Sequence, residues 1–129
     1  MKYEILKFRN LEEAKEEIKK INANPIGAEI MALKAIQLSV KFKDVETKTA
    51  NLIKQEMLSR GGDVAVSKDA GSFKTEKTDI IIIGTLAQFV RLVRKMKHQT
   101  AFECKKVTEE INTVLTKDFG IEIDKAKVW

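Results

Sequence analysis

The chain has 129 residues, 43% of them hydrophobic and 33% charged, enough to bury one core and too apolar for a disordered segment. Its formal charge of +5, from 24 Lys and Arg against 19 Asp and Glu, is compatible with an anionic ligand or nucleic acid, yet ordinary for a small protein with neither. A lone cysteine, Cys104, excludes an intrachain disulfide and fits a reducing compartment. No apolar run approaches the roughly 18 residues that cross a bilayer, and the opening MKYEILKFRN holds no apolar leader. The cytoplasm is the expected location.

Tyr3, Ile5 and Phe8 alternate with Lys2, Glu4 and Lys7, which predicts an opening strand with one buried face. Asn10 and Glu13 have capping-box spacing. Leu11, Ala14, Ile18 and Ile21 then recur at helical spacing, with Glu16 and Lys20 as an i,i+4 pair on the polar side. Asn24-Pro25 closes that helix. Residues 30–35 admit strand or helix, and extended structure is favoured. Ile36, Leu38, Val40 and Phe42 alternate as a strand. Helical spacing returns at 46–60, where Ala50, Ile53, Met57 and Leu58 share a face, and Gly61-Gly62 ends it. Residues 63–67 read as a short buried strand and 68–77 as a loop.

The run 80–83 is four isoleucines, the pattern of a central strand buried on both faces. Thr85 and Gln88 form a second capping box, followed by a stripe of Leu86, Phe89, Val90, Val93 and Met96. Thr100 and Glu103 suggest a third box ahead of a stripe of Cys104, Val107, Ile111, Val114 and Leu115. Gly120 stops that helix, and Ile121 and Ile123 suggest a final edge strand. No repeat or composition break interrupts the chain, so one domain over 1–129 is expected. The predicted class is α+β: a two-layer α/β sandwich with a mixed sheet of about four or five strands and about four helices.

Chemistry-bearing residues are sparse. Cys104 lies on an apolar stripe, where a buried, inert thiol is expected rather than a nucleophile. His98, the sole histidine, falls at a polar helix end, and without CxxC, HExxH or paired histidines no metal site is expected. Asp63, Asp69 and Asp79 stand apart from the charged helix faces, where a solvent-facing or capping role is the ordinary one. Gly84-Thr85 joins a strand to a helix N-terminus, a geometry that can hold an anion, although no phosphate-loop motif accompanies it. Arg91, Arg94, Lys95 and His98 repeat at i, i+3, i+4, i+7 as a basic stripe able to contact phosphates. No aromatic residues interleave with it, so a solvated face is the plainer reading.

Three blocks in order, EIMALKA, TANLIKQEMLSRGGDVAVSKDA and TDIIIIGTLAQFVRLVRKMKHQ, resemble consecutive blocks of the N-terminal, non-barrel domain of longer dihydropteroate synthases, over about residues 28–99. Matched positions are Lys34, Asn51, Lys54, Gln55, Gly61, Gly62, Ala65, Val66, Thr78, Asp79, Gly84, Thr85 and Gln88. The polar ones, Lys34, Asn51, Lys54, Gln55, Asp79, Thr85 and Gln88, are where the resemblance implies a ligand or partner. Leu33 departs from it, since the related domains tend to have Pro there. The synthase barrel and its catalytic motifs are absent, and a barrel needs about 200 residues.

The resemblance therefore implies an accessory or binding domain tied to folate (pterin) biosynthesis, not catalytic alone and with no cofactor of its own. Its expected partner is a pterin, folate or phosphorylated small molecule, or a barrel-containing synthase. Two alternatives stay open: a basic nucleic-acid-binding module on the Arg91–His98 stripe, and a small enzyme at a homodimer interface that brings Asp79 or Lys34 of two chains together.

Overall fold

The computed structural model describes residues 1–72, 74–99 and 102–128. Element order is α1 (Leu11–Lys20), α2 (Pro25–Ala32), β1 (Gln37–Glu46), α3 (Thr47–Ser59), β2 (Asp63–Val66), α4 (Lys68–Gly71), β3 (Lys77–Thr85), α5 (Leu86–Met96) and α6 (Phe102–Phe119). The class is α+β, as the pattern predicts. The sheet is smaller than expected and not mixed: among the described residues it has three strands in the order β1-β3-β2, every pairing antiparallel.

The opening strand does not form. Residues 1–8 take no regular structure, and Tyr3 and Ile5 are 87% and 80% exposed. Alternation sets which face a strand would bury, but it supplies no edge to pair with. Ile121 is buried at the other end of the chain without joining the sheet. Residues 25–32 are helix rather than extended backbone. Asn24 accepts hydrogen bonds from the Ile26 and Gly27 amides, and Pro25 occupies the first turn, where its fixed φ and missing N–H are harmless. The Asn-Pro pair starts a helix here as well as ending one.

In α1 the Asn10 side chain accepts from the Glu13 amide at 2.9 Å, but Glu13 returns its carboxylate to the Arg9 amide and guanidinium instead of to Asn10. Those bonds hold the Glu13 carboxyl below its usual pKa. Lys20 pairs with Glu17, not Glu16. The Thr100 cap lies outside the described residues. Leu58, expected on the apolar face of α3, is 51% exposed, because Ala50, Ile53 and Met57 already fill the inward stripe.

β3 is the central strand, yet only one of its faces is buried: Thr78, Ile80, Ile82 and Gly84 point inward, while Ile81 and Ile83 are 37% and 38% exposed. Helices α3, α5 and α6 contribute the other side of the core, through Ile53, Met57, Phe89, Val90, Leu92, Met96, Ile111 and Leu115. β1 carries a register shift between Phe42 and Val45, with Asp44 at φ 54°. Asp79 steadies that bulge by accepting from the Asp44 amide at 3.0 Å.

Four elements converge where α3 ends, β2 begins, β3 ends and α5 begins. Gly61 sits at φ 89°, left-handed backbone that glycine adopts without a Cβ penalty. Gln88 Nε2 donates to the Arg60 carbonyl at 2.9 Å, and Gln88 Oε1 accepts from the Thr85 amide at 2.8 Å. Gly62 and Gly84 leave the room this needs. A Cβ on Gly62 would meet Met57 Cε at 2.7 Å and the Ile83 carbonyl oxygen at 2.8 Å; on Gly84 it would meet Met57 Cε at 2.7 Å and Gln88 Oε1 at 2.9 Å. Backbone cannot retreat as a side-chain tip can. Gly62→Ala is therefore expected to cost about 1–3 kcal/mol of unfolding free energy, and Gly84→Ala less, as measured by urea denaturation. Equal losses would show that the Ile83 carbonyl is not the limiting contact.

Candidate functional site

A cleft of about 440 Å³ opens between α1, α2 and the segment after α6. Its base is apolar, from Leu11, Leu33 and Ile121, of which Leu33 and Ile121 are buried. Lys15 and Glu29 stand on its wall, joined at 3.0 Å between Nζ and a carboxylate oxygen. The Glu29 side chain keeps 51% of its exposure and Lys15 only 20%, so the carboxylate still has acceptor capacity toward the opening. Lys125 and Lys127 border the far side. The volume falls in the range of small-molecule sites, roughly 300–1,000 Å³. A carboxylate and an ammonium over an apolar base suit a flat ring that bears N–H donors and an anionic substituent.

The far wall of the cleft depends on Arg94. Its guanidinium donates to the Ile123 carbonyl at 3.0 and 2.8 Å and also to the Ala126 carbonyl. Lys97 adds an ion pair with Asp124 at 3.5 Å. The expected basic stripe is thus divided: Arg94 is committed to holding the C-terminal segment, Arg91 is half-buried, and Lys95 and His98 are exposed.

The polar positions of the matched blocks do not meet at one place, and none of them lines the cleft. Asn51 donates to the Ala70 carbonyl at 3.4 Å, tying α3 to α4. Lys54 donates to Asp63 at 3.0 Å and to the Val64 carbonyl at 2.7 Å, fixing β2 to α3. The Lys54 hydrogen bond, with a second from the Val64 amide, keeps the Asp63 carboxyl below its ordinary pKa. Asp79 serves the β1 bulge, and Thr85 and Gln88 form the capping box. Lys34 and Gln55 are exposed, at the end of α2 and on α3.

The amides at the start of α5 are all engaged within the protein. Thr85 N–H donates to Gln88, Leu86 N–H to the Ile36 carbonyl, Ala87 N–H to the Leu33 carbonyl and Gln88 N–H to Thr85 Oγ1. An anion there would have to displace one of them. Cys104 is buried, and burial raises its thiol pKa, with a hydrogen bond from Thr49 partly offsetting this; that is the opposite of what a thiolate nucleophile needs. Among the described residues no cluster of His, Cys, Asp or Glu could hold a metal ion, and no helix is long and apolar enough to cross a membrane.

Lys15 and Glu29 escaped the sequence reading for different reasons. Lys15 looks like one more charge on the polar side of α1, and Glu29 directly precedes the stretch, 30–35, read as extended. Reading Asn24-Pro25 as a helix start would have placed Glu29 on α2, one helix away from α1.

This is an α+β protein in which, among the described residues, a three-stranded antiparallel sheet has helices on one face only. Its sequence is related to a region of bifunctional proteins that contain dihydropteroate synthase. A probable bifunctional folylpolyglutamate synthase/dihydropteroate synthase of Halobacterium salinarum is 31% identical over 90 residues, covering 70% of this chain and 11% of the relative. A protein of the same description from Haloferax volcanii is 32% identical over 90 residues, covering 69% and 10%. The bifunctional dihydropteroate synthase/dihydropteroate reductase of Helicobacter pylori is 27% identical over 111 residues, covering 86% and 29%. The chain thus spans about a tenth of the archaeal relatives and under a third of the bacterial one. No protein-family model matches the chain, and no solved structure does. These names point to folate metabolism.

Replacing Arg94 by Ala should free the segment at 121–128 and open the cleft. The expected cost is about 1–3 kcal/mol, the range for hydrogen bonds from a charged donor. Faster hydrogen exchange and earlier proteolysis confined to the C-terminus would be the signature. Unchanged protection there would mean that Ile121 packing and the Lys97–Asp124 pair hold the tail without Arg94.

Proposed function

We propose that residues 1–129 form a single binding domain of folate metabolism, a counterpart of the N-terminal domain of longer dihydropteroate synthases. It acts in the cytoplasm by holding a pterin-type ligand, on its own or for a separate barrel-containing synthase, and it does not condense substrates unaided. The cleft between α1, α2 and the C-terminal segment carries this reading. A pterin's 2-amino-4-oxopyrimidine edge presents adjacent N–H donors, and a carboxylate such as Glu29 accepts two of them side by side. Leu11, Leu33 and Ile121 would lie against the ring, with Lys127 toward an acidic tail, since Lys125 is paired with Glu122 at 3.1 Å on the same rim. The polar matched positions tie together α3, α4, β2 and the start of α5, and leave recognition to these residues.

A second reading is favoured by the Helicobacter relative, whose name also includes dihydropteroate reductase. The region matched in that relative is 111 residues, shorter than a barrel of about 200 residues or more, which leaves the other named activity as the one to test on it. In that case the same cleft would hold dihydropteroate while a hydride donor reduces it. Nucleic-acid binding is the weaker alternative, since Arg94 of the basic stripe is engaged with the tail.

Calorimetric titration with dihydropterin and dihydropteroate tests the first reading. Wild-type protein should bind, and Glu29→Ala should weaken binding about tenfold or more, as expected for loss of a charge-assisted pair. Binding that ignores Glu29→Ala would move the site elsewhere, and no binding to either compound would remove the pterin reading. Consumption of a reduced nicotinamide that depends on dihydropteroate, with or without added flavin, would select the reductase.

A further inference from the structure

Charge on the rim of the cleft discriminates among the substituents a pterin ring can carry. Three lysines, Lys15, Lys125 and Lys127, and two carboxylates, Glu29 and Glu122, line it. Lys15 is joined to Glu29 at 3.0 Å and Lys125 to Glu122 at 3.1 Å. Lys127 is then the rim cation with no acidic partner among the described residues. Three ammonium groups less two carboxylates leave the rim at a net +1. A ligand that broke the exposed Lys125–Glu122 pair would not change that balance, because both groups stay on the rim. The backbone adds little: the amides of Ile26 and Gly27 donate to Asn24, and those of Gly120, Ile121, Lys125 and Ala126 donate to carbonyls of the chain. None of these amides is open to a phosphate.

Resting on the pterin reading of this cleft, we propose that its ligand is a pterin joined to an arm that ends in a single carboxylate, and not a pterin phosphate or diphosphate. One carboxylate matches one uncompensated ammonium. A phosphate carries about −1.5 to −2 at pH 7, a diphosphate more, and sites for such groups gather several cations or free backbone N–H groups. Here Glu29 and Glu122 repel the excess charge. Size points the same way. The cleft of about 440 Å³ belongs to the class that buries drug-sized ligands, roughly 300–1,000 Å³, and a bare bicyclic ring is smaller than those. With the N–H edge of the ring on Glu29 and its face over Leu33 and Ile121, the arm runs toward the far side and sets its carboxylate at Lys127.

Calorimetric titration of the full chain with dihydropterin, dihydropterin diphosphate and dihydropteroate tests this. Dihydropteroate should bind most tightly, about tenfold better than dihydropterin, and the diphosphate no better than dihydropterin. Lys127→Glu turns the rim to a net −1 and should cost dihydropteroate about tenfold, with a much smaller loss for dihydropterin. Lys127→Arg keeps the charge and should keep the preference. Lys127 is exposed, so neither variant disturbs the core. A diphosphate that binds tightest overturns the inference, as does dihydropterin that matches dihydropteroate, or a preference that survives Lys127→Glu. The pterin reading itself would stand in each of those cases. If none of the three compounds binds, both fall together.

Discussion

The amide of Gln88 holds together the point on which the rest of the fold turns. One side chain satisfies the start of α5 through Thr85 and the end of α3 through Arg60, while Met57 fills the space beneath. Glycine at 62 and 84 is what lets these backbones approach closely enough. A half-buried polar side chain with both ends bonded fixes geometry because a displaced arrangement leaves a donor or acceptor without its protein partner. With this corner set, β2 and β3 align in register, and α3 and α5 lie on the same side of the sheet.

That one-sidedness shapes the surfaces available for function. The inner face is filled by isoleucine, methionine and phenylalanine from three helices. On the proposed reading, binding falls to the periphery. There, α1 and α2 meet the C-terminal segment, and a basic residue that looks like a phosphate contact, Arg94, instead secures the wall of the cleft. The outer face of the sheet leaves Ile81 and Ile83 partly exposed.

The interior elements could be read from the sequence because one helix or strand period decides them. The stripe from Leu86 to Met96, the Thr85–Gln88 capping box and the alternation of Leu38, Val40 and Phe42 all stand as expected. The failures share a cause: each needed knowledge of what lies opposite. Tyr3 and Ile5 alternate like a strand but have no edge to join, and the isoleucines of β3 could not reveal that only one face is covered by this chain. Asn24-Pro25 is ambiguous by itself, since Pro both ends one helix and begins another. The cleft was illegible for the same reason. Lys15 and Glu29 are ordinary surface charges until α1 and α2 are placed side by side, whereas the blocks that drew attention mark the Gln88 corner and its supports.

On the proposed reading, the matched blocks build the scaffold while the peripheral cleft does the recognition. Amide chemical-shift mapping of isotope-labelled protein during addition of a dihydropterin separates these directly. Perturbations should concentrate at Leu11, Lys15, Glu29, Leu33 and Ile121, with Gly61, Gly84 and Gln88 unmoved. Shifts centred on Gly84, Thr85 and Gln88, with the cleft silent, would contradict the account and place recognition at the strand–helix junction.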